Sequence, residues 1–394
     1  MAVASIHDDQ TLLAAAHALR PHILACADHI EADRRLPLPL VDAMKAAKIF
    51  RMAMPHTWGG LQLDPLAQFE VLEALTMADA STGWCAYIGA CSGGFLTAFL
   101  DQRVAREMYR DVDTITGGAI RAAGQATVVP GGYRVSGRWP FGSGCHHCTW
   151  LTSGCIVSDG DGPRLTAHGM PDTRICFLPA DRCDMLDTWT TTGLRGSASH
   201  DYAVTDLFVP EEHTFSLVHS PIQRSEPLYA FRRLYLFGHA SIPLGIARSA
   251  MEALLALASQ KGVRSGRGPV ATGLRDEAFL QAAVARAEAL IGSARAYVVD
   301  VLQDLWTTLV AGNTPSAVQR ARFRLCITQA HMAGVEAVDL LYNMAGGTAV
   351  YAAQPFDRLF RDIHTVNQHA VVGPKTLEPI GRLLLGLESG DQMV

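Results

Sequence analysis

The chain has 394 residues, 49% of them hydrophobic, and a formal net charge of −5 from 33 Lys and Arg against 38 Asp and Glu. That length supports more than one substantial core, and the mild acidity with no long basic run argues against a nucleic-acid partner. Nine Cys without framework spacing, and an opening "MAVASIHDDQ" that is acidic where a secretion signal is basic, point to a reduced, cytoplasmic setting.

Residues 1–115 read as a helical domain. "DQTLLAAAHALRPHILACADHIEADRR" and "PLAQFEVLEALTMAD" place apolar residues three and four apart. "LPLPL" and "HTWGGLQLDP" punctuate them. The stretch "ASTGWCAYIGACSGGFLTAFL" from Ala80 to Leu100 carries no charge and has the length of a membrane span. Its Gly, Ser, Thr and Cys content favours a buried helix lining a ligand pocket, and no membrane partner is expected.

Residues 116–222 read as a β domain. "ATVVPGGYRVSGRW", "TWLTSGCIV", "TRICFLPA" and "HDYAVTDLFVPEE" are short runs bounded by Gly, Pro and Asp, with alternation in "YRVSGRW" and "YAVTDLFV". Residues 223–394 return to long Ala- and Leu-rich segments that suit a bundle of four or five helices. The class is α+β, in the order helical domain, β domain, helical bundle.

That order and three segments resemble the acyl-CoA dehydrogenase fold. "GLRGSASHDYAVTDLFVPEEHTF" is similar to the family's strand with Arg, Ser and Thr or Ser at alternate positions. "GRWPFGSG" stands where the family has its Trp-Ile-Thr-Asn flavin loop. "GGTAVYAAQPFDRLFRD" is similar to the C-terminal Gly-Gly…Pro…Arg-Asp segment. A dehydrogenase of this family needs a carboxylate to take the substrate α-proton. The usual position holds Ala353, and Ala230 to Met251, where the minority place the base, contains no Asp or Glu.

The same departures resemble a sister group on this fold, the two-component flavin-dependent monooxygenases. Their Trp-x-Phe-x-Ser-Gly loop with a following His and Trp is matched by Trp139, Phe141, Ser143, Gly144, His147 and Trp150. Their Arg-Asp-x-His with a second His is matched by Arg361, Asp362, His364 and His369. The resemblance implies an oxygenase component that takes reduced flavin from a separate reductase. It forms a C4a-(hydro)peroxide with O2 and oxygenates a small aromatic or heteroatom-containing molecule. It also implies a homotetramer.

By the same resemblance Ser143 faces the flavin ring, Trp139 and Phe141 wall it, and Gly144 and His147 flank the loop. Arg195, Ser197 and Ser199, read as alternate residues of one strand, share a face towards it. His369 lies over the flavin, able to hydrogen-bond the peroxide or to deprotonate a substrate hydroxyl. Cys91, Ser92 and Trp84 line the substrate pocket, with Cys91 and Ser92 where several relatives have a His. The family's phosphate-binding Arg column is displaced to Arg232 and Arg233, which points to reduced FMN, with FAD as the alternative.

"CHHC" at 145–148 offers four metal ligands in a row, yet no second such element exists to close a tetrahedron. Read as a strand, it sends Cys145 and His147 to one face and His146 and Cys148 to the other, so no metal is expected. Two rival readings stand beside the oxygenase: a dehydrogenase of acyl-CoA or acyl-carrier thioesters, and a catalytically inactive flavin-fold binding protein.

Overall fold

The computed structural model describes residues 2–160, 162–264 and 271–390. Ten helices and a seven-stranded sheet are found among them. The helices are α1 (Ala2–Asp33), α2 (Leu38–Ala46), α3 (Pro65–Ala78), α4 (Ala80–Leu96), α5 (Gln102–Met108), α6 (Gly238–Gln260), α7 (Ala278–Val310), α8 (Ala317–Ala345), α9 (Pro355–Val366) and α10 (Leu377–Leu384). Helices thus precede and follow a central sheet, as the sequence indicates.

The chain divides into two compact units. One comprises Met1–Gln68, Trp84–Thr191 and Arg195–Tyr235; the other comprises Phe69–Gly83, Thr192–Leu194 and Leu236–Val394.

The first unit contains the sheet. Its strands are β1 (Thr116–Val129), β2 (Gly132–Gly142), β3 (Trp150–Ser158), β4 (Thr173–Pro179), β5 (Asp184–Leu186), β6 (His200–Pro210) and β7 (Thr214–Phe215), in the order β5-β6-β2-β1-β3-β4-β7. Every pairing is antiparallel except β1 with β3. The "VPGG" between β1 and β2 closes a hairpin, with Gly131 at φ 80°. "LPLPL" does not interrupt a helix but opens one: Pro37 precedes α2 and a second Pro fills its first turn, where no N–H is needed. The uncharged stretch at 80–100 is a buried helix followed by a short turn.

Trp139 occupies the sheet core rather than a cofactor surface. It is 0% exposed, its ring stacks on Tyr202 at 5.4 Å, and Nε1 donates to the carbonyl of Gly154 at 2.7 Å. Gly124 and Gly137 make its slot: a Cβ on either would lie 2.2 or 2.9 Å from the indole. With its only donor satisfied and both faces covered, the indole has nothing left to offer a ligand.

The second unit is built from the long helices. Along α7, Leu280, Ala283, Ala287, Ile291, Ala294, Val298, Val301 and Leu305 are buried at helical spacing. Its neighbour α8 begins with a reciprocal cap between Ser316 and Gln319. Among the described residues one helical stretch, Leu234–Gln260, is long and apolar enough to cross a membrane, and 61% of its most apolar window is buried.

Replacing Trp139 with Ala should cost roughly 3–5 kcal/mol of stability, read from urea unfolding followed by circular dichroism. A loss well under 1 kcal/mol would contradict its placement as a core residue.

Candidate active site

The sequence-predicted residues fall into one constellation in each unit. In the first unit the loop after β2 and the loop before β6 meet. Gly144 N–H donates to the Ser197 carbonyl at 2.8 Å, and Gly144 sits at φ 70°. Two non-glycine residues there, Phe141 and Ala198, also have positive φ (65° and 46°), each at some backbone cost.

At the junction three hydroxyls form a chain. Ser143 Oγ is 2.7 Å from Ser199 Oγ, which is 2.7 Å from Ser197 Oγ. Trp84 of α4 donates its indole N–H to Ser143 at 2.9 Å. Indole nitrogen can only donate, so Ser143 accepts there. Three hydroxyls bring three protons, and the two hydroxyl–hydroxyl contacts absorb two. The third proton has no acceptor among the described residues, and all three serines are buried. A buried donor in surplus seeks an acceptor. The ring edge of a flavin, with its carbonyl oxygens and nitrogens, is such a group, so the residues present fit the cofactor that the resemblance implies.

The alternation expected for Arg195, Ser197 and Ser199 is corrected by the structure. Residues 195–197 form a 3₁₀ turn and β6 starts only at His200. Ser197 and Ser199 still converge, through the turn. Arg195 points elsewhere: its guanidinium donates to the carbonyls of Glu31 and Thr191 and lies 3.4 Å from the Glu31 carboxylate. Phe141 is 63% exposed, edge-on to Trp189.

The strand expected for 145–148 is likewise a 3₁₀ turn over Cys145–His147. Cys145 Sγ donates to the Ala198 carbonyl and Cys148 Sγ to that of Gly144. Burial pushes the Cys145 thiol up to about 11 and the Cys148 thiol well up, so both stay protonated at neutral pH. Burial holds His147 down at about 4. Its enclosed Nε2 has no hydrogen-bond partner among the described residues. On α4, Cys91 is buried with its thiol pushed up by desolvation, Ser92 is half-buried, and Trp84 spends its N–H on Ser143.

In the second unit His369 lies in the segment between α9 and α10. Its Nδ1 accepts the backbone N–H of Val371 at 3.3 Å. A neutral imidazole has one N–H, so the proton must sit on Nε2. Burial, helped by the Arg324 charge, holds His369 down at about 4. At neutral pH it is therefore a neutral Nε2–H donor, and taking a further proton is disfavoured. Of the two roles open to it in the sequence, donor and base, the geometry favours the donor. His364, by contrast, pairs with Asp339 at 2.8 Å on a partly exposed surface.

Two histidines that motif matching passed over stand beside His369. His239 of α6 has its ring 4.5 Å from the His369 ring, and His331 of α8 lies 6.4 Å beyond His239. Burial depresses both, His331 to about 3. The only signal in the sequence is a His inside each of the apolar runs "LYLFGHASIPLG" and "LCITQAHMAG".

The chain as a whole is similar to known proteins. Residues 8–107 match the family model "Acyl-CoA dehydrogenase, N-terminal domain" and residues 237–374 match "Acyl-CoA dehydrogenase, C-terminal domain". An indole-3-acetate monooxygenase of Pseudomonas putida is 31% identical, over 90% of this chain and 88% of that one. The oxygenase subunit HsaA of a flavin-dependent monooxygenase from Mycobacterium tuberculosis is 30% identical over 98% of both chains. The crystal structure of the M. tuberculosis HsaA monooxygenase superposes with a TM-score of 0.88, over 98% of this chain and 100% of that one, at 29% identity. The oxygenase component of an FADH2-dependent resorcinol hydroxylase from a Rhizobium species is 27% identical, over 93% of this chain and 92% of that one.

The buried histidines predict how stability depends on pH. Their folded pKa values lie below the ordinary value of about 6.5. The unfolded chain therefore takes up protons first as pH falls. Stability is full above about pH 6.5 and declines from there towards pH 4, by up to about 1.4 kcal/mol per pH unit for each such histidine. Urea unfolding at pH 7.5, 6 and 5 should show this loss, and equal midpoints across that range would contradict the burial of these rings.

Proposed function

The chain belongs to the acyl-CoA dehydrogenase family, in its branch of flavin-dependent monooxygenases, and on that premise we propose that it is the oxygenase component of a two-component system acting on an electron-rich aromatic substrate of the indole type. The observation that carries the substrate reading is the fixed protonation of His369. Reduced flavin, when bound, supplies the two electrons that activate O2.

The protein's share is to bind, to exclude water and to hold protons at defined atoms. Ser143, backed by Ser199 and Ser197, offers a buried hydroxyl proton to the flavin edge. With reduced flavin bound, His369 would hold its Nε2–H as a donor for negative charge developing on oxygen. A preorganised donor in a dry site acts there without reorganisation. A phenol would need a proton acceptor, and the two groups that the resemblance sets against the substrate do not provide one. His369 already carries its proton on Nε2, and the Cys91 thiol is held protonated by burial. An indole ring is electron-rich without an ionisable hydroxyl, and one relative acts on indole-3-acetate.

Arg232, which the displaced Arg column offered for a phosphate, donates instead to the carbonyls of Leu217 and Ser220. Among the relatives at about this level of identity, the resorcinol hydroxylase names FADH2. Reduced FAD is accordingly the flavin proposed, ahead of the FMN that the Arg column suggested. The proposal also includes a separate flavin reductase, a homotetramer and a cytoplasmic location. A dehydrogenase reading lacks its base: Ala353 stands at the usual position.

The wild type, supplied with a reductase and NADH, should consume indole-3-acetate faster than resorcinol. Hydroxylation of resorcinol alone, with an acid limb near pH 6.5, would refute the substrate reading. His369→Ala should consume reduced flavin while releasing H2O2 in place of product. Losing one such donor costs roughly 3–4 kcal/mol of transition-state stabilisation, or about 10²–10³ in rate. An unchanged H2O2 yield per reduced flavin would remove His369 from the reaction.

A further inference from the structure

Pro243 lies inside α6 and has no N–H. In an α-helix that N–H would bond the carbonyl four residues earlier, so the carbonyl of His239 loses its helical donor. His331 of α8 takes over. Its Nε2 is 3.0 Å from the His239 oxygen, and a carbonyl only accepts, so Nε2 carries the proton. The two helices approach closely enough because position 334, one turn after His331, is glycine. A Cβ there would lie 2.9 Å from Pro243 Cβ. A missing donor, its substitute and the space for both thus meet at one crossing. The residue whose carbonyl is pinned is the one whose ring touches His369.

We propose that Pro243, His331 and Gly334 form a lock between α6 and α8 that sets the His239 imidazole against His369, making His239 and His331 positioning residues for the His369 donor. This deepens the reading of His369 given above and rests on it. The titratable and charged groups facing His369 are His239 from α6 and Arg324 from α8, with His331 behind His239. The His239 ring covers one side of His369. If the lock opens, the first turn of α6 shifts and water reaches the His369 ring. Its titration then moves up towards the ordinary histidine value, and its donor loses its fixed direction.

The test uses the full-length protein with its histidines labelled with nitrogen-15. His331→Leu keeps bulk but removes the donor. The His369 titration followed by NMR should move upward from about 4, and H2O2 released per reduced flavin should rise several-fold. Adding Pro243→Ala returns a backbone N–H to the same carbonyl. The double variant H331L/P243A should therefore move both readings back towards wild type. A His331→Leu protein that melts earlier but keeps the wild-type titration and H2O2 yield would overturn the lock, as would a double variant no closer to wild type than the single one. Should His331→Leu not fold, His331→Gln decides. Its side-chain amide can donate to the carbonyl, so it must keep the low titration, and a displaced one overturns the proposal. If the wild type makes no oxygenated product, the functional reading falls, while the NMR titration still decides whether the lock exists.

Discussion

The Val371 amide bonded to Nδ1 of His369 is the interaction on which the rest depends. It leaves one nitrogen for the imidazole proton and thereby converts a residue with two possible roles into a donor. Burial then keeps the ring neutral across the physiological range. A similar bookkeeping of hydrogens governs the first unit. There a tryptophan that only donates feeds a chain of three serines, and one buried proton is left over. Both constellations present donors. An oxygenase needs donors where charge develops on oxygen, whereas a dehydrogenase needs an acceptor for a carbon-bound proton.

The departures from the dehydrogenase pattern fit this picture. With Ala353 at the usual base position and no Asp or Glu from Ala230 to Met251, neither place where the dehydrogenase pattern puts its proton acceptor holds a carboxylate. In the first turn of α6 the chain carries His239 instead. That imidazole is neutral in its buried setting and is placed by a helix defect that His331 repairs.

Much of the architecture was legible in the sequence because it is local. The alternation in "YRVSGRW" and "YAVTDLFV" marks β2 and β6, and the helical spacing marks α1 and α3. The misplaced residues were those governed by contacts across the fold. Trp139 matched a flavin-loop motif, yet its environment comes from Gly124 and Gly137, which face each other on two strands. The stretches at 145–148 and 195–199 lack apolar alternation, and positive φ at Gly144 and Ala198 turns the chain there. His239 matched no motif, because the reason for its placement is a hydrogen bond missing at Pro243 and supplied from α8.

The most direct test of the central claim follows the oxygen atom. The protein, a flavin reductase, NADH and FAD are mixed with indole-3-acetate under oxygen-18 gas, and the product is analysed by mass spectrometry. The account predicts a product carrying one labelled oxygen atom, formed only when the reductase is present. A product without the label, together with desaturation of an acyl-CoA by the same protein and an artificial electron acceptor, would contradict it.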